Sequence, residues 1–177
     1  MPNEAIKNIA VYRNDVVSAL QVYFSDVPPN YQEQFLGISP QDVAEKLNAL
    51  LRARIEETDL RSALAVLTSL EAAFRIDYKY RLEKKVKGNR NLLKAFRDIR
   101  DSPKRYVRLD GHIFEAWERN APGTQQLIRS LRSAFNFRDW LAHGGSWVYK
   151  GRKYDFDSLY DLAANVLASF DFVTADG

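Results

Sequence analysis

Apolar residues recur at helical spacing through most of the chain. Ile6, Ile9, Val16, Val17, Leu20 and Phe24 share a face of residues 4–25, which predicts an amphipathic helix ended by Val27-Pro-Pro-Asn30. Tyr31, Phe35 and Leu36 mark a loop folded back on the core. Ser39, Pro40 and Asp42 then supply an N-cap, a first-turn proline and an early acidic residue for a second helix, with Val43, Leu47, Leu50 and Leu51 buried. Glu56-Glu-Thr-Asp59 interrupts the apolar pattern and reads as a boundary. A long helix follows over 59–87, with Leu60, Leu64, Leu67, Glu71, Phe74 and Tyr78 on its stripe and Gly88 at its end.

The second half is more broken. Leu92, Leu93, Phe96 and Ile99 predict a short helix over 91–100, stopped by Ser102-Pro103. An arginine-rich connection covers 104–111, and Asp110 or His112 begins a helix burying Ile113, Phe114 and Trp117, which Ala121-Pro-Gly123 stops. Thr124 is expected to cap a helix over 125–143 that buries Leu127, Ile128, Leu131, Phe135 and Leu141. Ser146 to Tyr154 reads as a loop or small hairpin turning near Gly151. Asp157 is expected to cap the last helix, with Leu159, Leu162, Val166 and Phe170 inward.

This pattern predicts an all-α protein, an antiparallel helical bundle with a short irregular or hairpin insertion near 145–156. Residues 1–57 are an N-terminal helical extension packed on a core of 58–177, together one compact domain. The 177 residues are 46% hydrophobic and 28% charged, enough apolar surface for a sizeable core and too little charge bias for disorder. Without cysteine, a disulfide scaffold, thiolate metal site and cysteine nucleophile are excluded. No apolar run reaches the length of a membrane helix, and Met1-Pro-Asn-Glu4 lacks the order of a signal peptide, so a soluble cytoplasmic protein is expected.

Net charge is +3, but basicity is concentrated. Residues 75–108 hold 13 basic and 4 acidic side chains, against 6 and 10 before them and 7 and 9 after. Such a segment is the footprint expected for a polyanion, although a solvated helix surface has the same composition.

Candidate chemistry lies in Asn136-Phe-Arg-Asp-Trp-Leu-Ala-His-Gly-Gly145. Arg138 is a permanent cation and His143 a titratable imidazole, the minimum for phosphodiester chemistry. With 16 arginines and two histidines the bare spacing is a weak signal, and Arg105 with His112 meets a looser form of it. Context favours His143. Asp139 is four residues away on the same helix face, where its carboxylate could hold one ring nitrogen, and Asn136 and Trp140 fall on that side. Gly144 and Gly145 allow the helix to stop. Arg138 lies about 140° from His143 around an ideal helix. A histidine before glycine is also an ordinary helix ending.

Glu71, a carboxylate on an apolar stripe, requires a partner. Arg75, one turn later, is one candidate; the helix bearing His143 is the other. Trp147, Tyr149 and Tyr154 alternate with Lys150, Arg152 and Lys153, a pairing suited to single-stranded RNA, though aromatics beside a chain reversal are also common core contacts.

Arg138-Asp139-x-x-x-His143, set in Leu131-Arg-Ser-Ala-Phe-Asn-Phe-Arg-Asp-Trp-Leu-Ala-His-Gly144, resembles the Arg-x(4 to 6)-His signature of the HEPN superfamily, in particular its prokaryotic toxin-like ribonucleases. The resemblance covers roughly 58–172. It implies an all-α bundle that dimerises so that two motifs form one metal-independent endoribonuclease site, with no cofactor. Catalytic roles then fall to Arg138, His143, Asp139 and Glu71, the last because such proteins often carry a polar residue in the helix facing the motif. RNA contacts fall to Asn136, Trp147, Lys150, Arg152 and Lys153. RNA, a second copy and a separately encoded antitoxin are the implied partners, with a toxin or phage-defence role. The alternative is a non-catalytic helical module that binds RNA or protein. DNA binding is disfavoured, since no compact helix-turn-helix stands out.

Overall fold

Between Pro40 and Gly88 the sequence contains neither proline nor glycine, and the chain uses that freedom to run one unbroken helix. The computed structural model describes residues 2–84, 89–103, 106–144 and 148–173. Its α1 is Pro2–Tyr23, and α2 is Pro40–Glu83, 44 residues or roughly 66 Å at the usual rise. The boundary expected at Glu56 to Asp59 is absent. Those residues are good enough helix formers, and Glu57 bridges Arg54 and Arg61 along the helix surface. Asp59 instead anchors Arg13 of α1 at 2.7 Å, and the Arg13 guanidinium lies 5.1 Å over the Phe156 ring.

Ser39 caps α2 as expected, its Oγ accepting from the Asp42 amide. A 3-10 turn over Pro29–Phe35 carries Phe35 into a small cluster with Phe24 and Leu47, whereas Leu36 is exposed. Leu60 is also exposed, a correction to the predicted stripe, which shifts to Val66, Leu67, Leu70 and Phe74.

The remaining helices are α3 (Arg90–Asp101), α4 (Glu115–Asn120), α5 (Gln125–Ala142) and α6 (Phe156–Ser169). A π-helical turn over Leu109–Phe114 leads into α4, so helical structure begins one residue before the expected Asp110 and takes in Gly111, which the sequence placed in the connection. Thr124 precedes α5 without capping it; its hydroxyl donates back to the Ala121 carbonyl. Asp155, not Asp157, caps α6 by accepting from the Ser158 amide. Residues 148–155, the described part of the expected insertion, form no regular element. Gly88 lies outside the described residues.

The helices form an all-α bundle with α2 as its spine, packed against α1, α3, α5, α6 and the π turn. One core collects Ile6 of α1, Phe74 of α2, Phe96 of α3, Trp117 of α4, Leu131 of α5 and Val166 of α6. Each such side chain contributes about 1.5–3 kcal/mol by burial. Phe74 meets Phe114, Phe170 and Phe172 edge-on at 4.9 to 5.2 Å.

Asp77 and Arg81 form a buried pair that fastens the end of the described chain to this spine. Arg81 Nε reaches both Asp77 oxygens at 2.9 and 3.0 Å, its Nη2 donates to the Asp171 carbonyl, and the Val173 amide donates to Asp77 at 2.8 Å. No helix among the described residues is long and apolar enough to cross a membrane.

Candidate functional site

Phe135 and Phe137 on α5 are buried and Asn136 is exposed, while Arg138 is half-buried where α5 faces α2. Glu71 meets it there. Its Oε1 accepts from Arg75 Nε at 2.8 Å and its Oε2 accepts from Arg138 Nη1. The two candidate partners of Glu71 are therefore engaged together: one carboxylate bridges its own helix and the helix of the motif. Arg138 also donates through Nε and Nη2 to Asp139 Oδ1 at 3.1 and 2.9 Å, and its guanidinium lies 4.7 Å over the Phe135 ring.

These contacts set the charge state. Burial opposes ionisation of Glu71, but its hydrogen bonds and charge pairing with Arg75 and Arg138 outweigh it, and the carboxyl is held below its ordinary range. Burial likewise works against the Arg138 cation, and Glu71 and Asp139 more than offset it. Among the described residues, three of the five guanidinium N–H groups are occupied and two stay open to a phosphate.

The pair sits in an open cleft of about 850 Å³ between α2, α5 and residues 106–110. Its ionisable lining comprises Arg75, Lys79, Arg108, Arg132 and Arg138 against Glu71, Asp110 and Asp139. Five cations against three carboxylates make it a net positive recess of a size suited to a small ligand or part of a larger one.

His143 does not line this cleft. It is the exposed C-cap of α5, its amide donating to the Asp139 carbonyl at 3.1 Å. Gly144 adopts φ 67°, ending the helix in the left-handed conformation that its sequence position suggested. The helix stays regular to Ala142, so the last turn does not loosen to swing Arg138 toward His143. Asp139 Oδ1 accepts both of its bonds from Arg138, so this carboxylate also steadies the motif arginine.

No protein-family model, curated protein or solved structure matches this chain.

Of the sequence-derived site, Glu71, Asn136, Arg138 and Asp139 share the cleft. Trp147, Gly145 and Arg105 lie outside the described residues. Lys150, Arg152 and Lys153 are exposed on the irregular segment, but its aromatics turn inward: Tyr154 is buried, and Tyr149 stacks on Trp140 at 5.3 Å. Arg152 covers the Tyr154 ring at 4.9 Å and Lys153 the Trp140 ring at 5.6 Å. His112 lines a separate recess with Asp98, Glu115 and Arg119, and its Nδ1 accepts from the Arg108 amide at 2.8 Å. That bond withholds one ring nitrogen from acid-base work.

Lys79, Tyr106, Arg108 and Arg132 were not singled out from sequence. Charge counting located the basic segment, and the spacing of Glu71, Arg75 and Lys79 along one helix could have located the first; Tyr106 satisfied the same cation-flanked aromatic pattern applied to residues 147–154.

Proposed function

We propose that this protein is a HEPN-type, metal-independent endoribonuclease acting at a site shared by two copies of the chain. The observation that carries the reading is Arg138, half-buried on the edge of a positive cleft and held there by a carboxylate from a different helix. Restraint of that kind suits a guanidinium that must meet charge building on phosphoryl oxygens. The 2′-hydroxyl next to the scissile phosphate would attack phosphorus and the bond to the 5′-oxygen would break, leaving a 2′,3′-cyclic phosphate and a 5′-hydroxyl. His143 would take the proton from the 2′-hydroxyl or give one to the 5′-oxygen, and the same imidazole of the second copy would take the complementary part. His143 stands at the helix end beyond the cleft, and under this reading the second copy completes the set. The resemblance extends the proposal to a toxin or phage-defence role and a separately encoded antitoxin.

Incubating the chain with mixed RNA in EDTA, beside His143→Ala, tests the chemistry; cleavage is expected from the first and not the second. Mixing His143→Ala with Arg138→Ala subunits tests the shared site, since only a composite centre regains activity.

The second reading, a non-catalytic helical binding module, is favoured by one observation: Arg138 is already engaged by two carboxylates. Under it, His143→Ala leaves function intact, whereas charge reversal across residues 75–108 abolishes it.

A further inference from the structure

Residues 106–109 alternate outward and inward like a short extended strand. Tyr106 and Arg108 are exposed, Val107 is half-buried against the core, and Leu109 is buried. The backbone between them is fastened: the Val107 carbonyl accepts from Arg75 Nη1 at 3.3 Å, and the Arg108 amide donates to His112 Nδ1 at 2.8 Å. Two side chains are thus presented on an anchored rail along the cleft that contains Arg138.

Their chemistry is complementary. Tyr106 is 76% exposed and lines the recess, so one face of its ring is open to a ligand there. The other cleft cations are differently engaged. Arg75 and Arg138 hold Glu71, and Arg132 holds Asp110 and Glu118, whereas among the described residues Arg108 and Lys79 make no ion pair.

We propose that this cleft takes a single-stranded segment of RNA beside Arg138, with Tyr106 stacking on a base and Arg108 and Lys79 receiving neighbouring phosphates. This rests on the ribonuclease reading for the nature of the polyanion and adds the path of the strand. A duplex is disfavoured because its base faces are already stacked and a protruding ring finds none to cover. An acidic polypeptide would use the cations but has no need of the exposed ring. The proposal moves the main RNA contacts from residues 147–153, whose described aromatics face inward, to the opposite side of the motif helix.

The test uses the full chain carrying His143→Ala, so that RNA survives, with a fluorescein-labelled mixed-sequence single strand and its duplex measured by anisotropy. Tyr106→Ala is expected to weaken single-strand binding by about fivefold to about 150-fold, the range for losing one stacked base, while Tyr106→Trp retains it. Replacing Lys79 and Arg108 together by alanine should reduce the slope of log affinity against log salt by about 1.4, two phosphates' worth for single strands. Circular dichroism melting guards against misfolding, and none is expected at these exposed positions.

Unchanged single-strand affinity in Tyr106→Ala, equal affinity for the duplex, or competition by poly-glutamate as strong as by RNA would each overturn the proposal. Cleavage by the unsubstituted chain alongside such a result removes the cleft and keeps the nuclease. Tyr106-dependent binding without any cleavage does the reverse. Absence of RNA binding removes both.

Discussion

Glu71 and Arg138, 67 positions apart in sequence, share a hydrogen bond across the α2–α5 contact, and the same carboxylate grips Arg75 at 2.8 Å. Two guanidinium groups on one carboxylate explain both its ionised state and the fixed position of the motif arginine.

A lysine at position 138 offers a point charge where a planar fork now spans Glu71 and Asp139. Arg138→Lys should keep the fold and lower RNA cleavage by about 10²- to 10³-fold, measured as kcat. His143 is exposed, so His143→Ala should alter unfolding free energy by less than about 0.5 kcal/mol while removing cleavage.

Removing the charge of Glu71 has two separable effects. Glu71→Gln should tighten RNA binding, since a carboxylate no longer competes with phosphate, and lower kcat, since Arg138 is less firmly held. Stability should also respond to pH. The folded carboxyl titrates below its ordinary value, so its contribution is present above the unfolded value of roughly 4.3 and is lost as pH falls through the lower, folded one. The stability gap between the wild type and Glu71→Gln should therefore be constant near neutrality and close in acid, as read by urea denaturation from pH 7 to 3.

Among the described residues Gly144 has no neighbour within 4 Å of an added Cβ, so its backbone conformation is what resists substitution. Gly144→Ala should cost about 1–2 kcal/mol, the penalty of the left-handed region, in chemical denaturation. An equally stable variant would contradict the described helix ending.

Asp77 and Arg81 have side-chain exposures of 0% and 2%. Asp77→Ala leaves a buried guanidinium without its counter-charge and should cost about 3–5 kcal/mol. Because Val173 loses its acceptor in the same variant, amide exchange at Phe172 and Val173 should accelerate before the helices do.

The bundle was legible because helical periodicity survives almost everywhere, and Glu71 was legible because a carboxylate on an apolar stripe calls for a partner. Asp77 and Arg81 escaped notice because a pair one turn apart looks the same in sequence on a surface as in a core. The boundary placed at Glu56 to Asp59 arose from reading loss of apolar pattern as loss of helix; here it marks only where α2 emerges from one cluster before entering the next. The cleft was half legible. Composition counted its cations, but their convergence depends on Arg75 catching the Val107 carbonyl, a contact between residues 32 apart.

The unbroken course of α2 also governs how the protein can be divided. A fragment beginning at residue 58 would open in mid-helix, strip Ile6 from the core and leave Asp59 without Arg13. The first fifty-seven residues are thus a splint that the bundle wears internally, and its removal should be felt in the fold before it is felt in the chemistry.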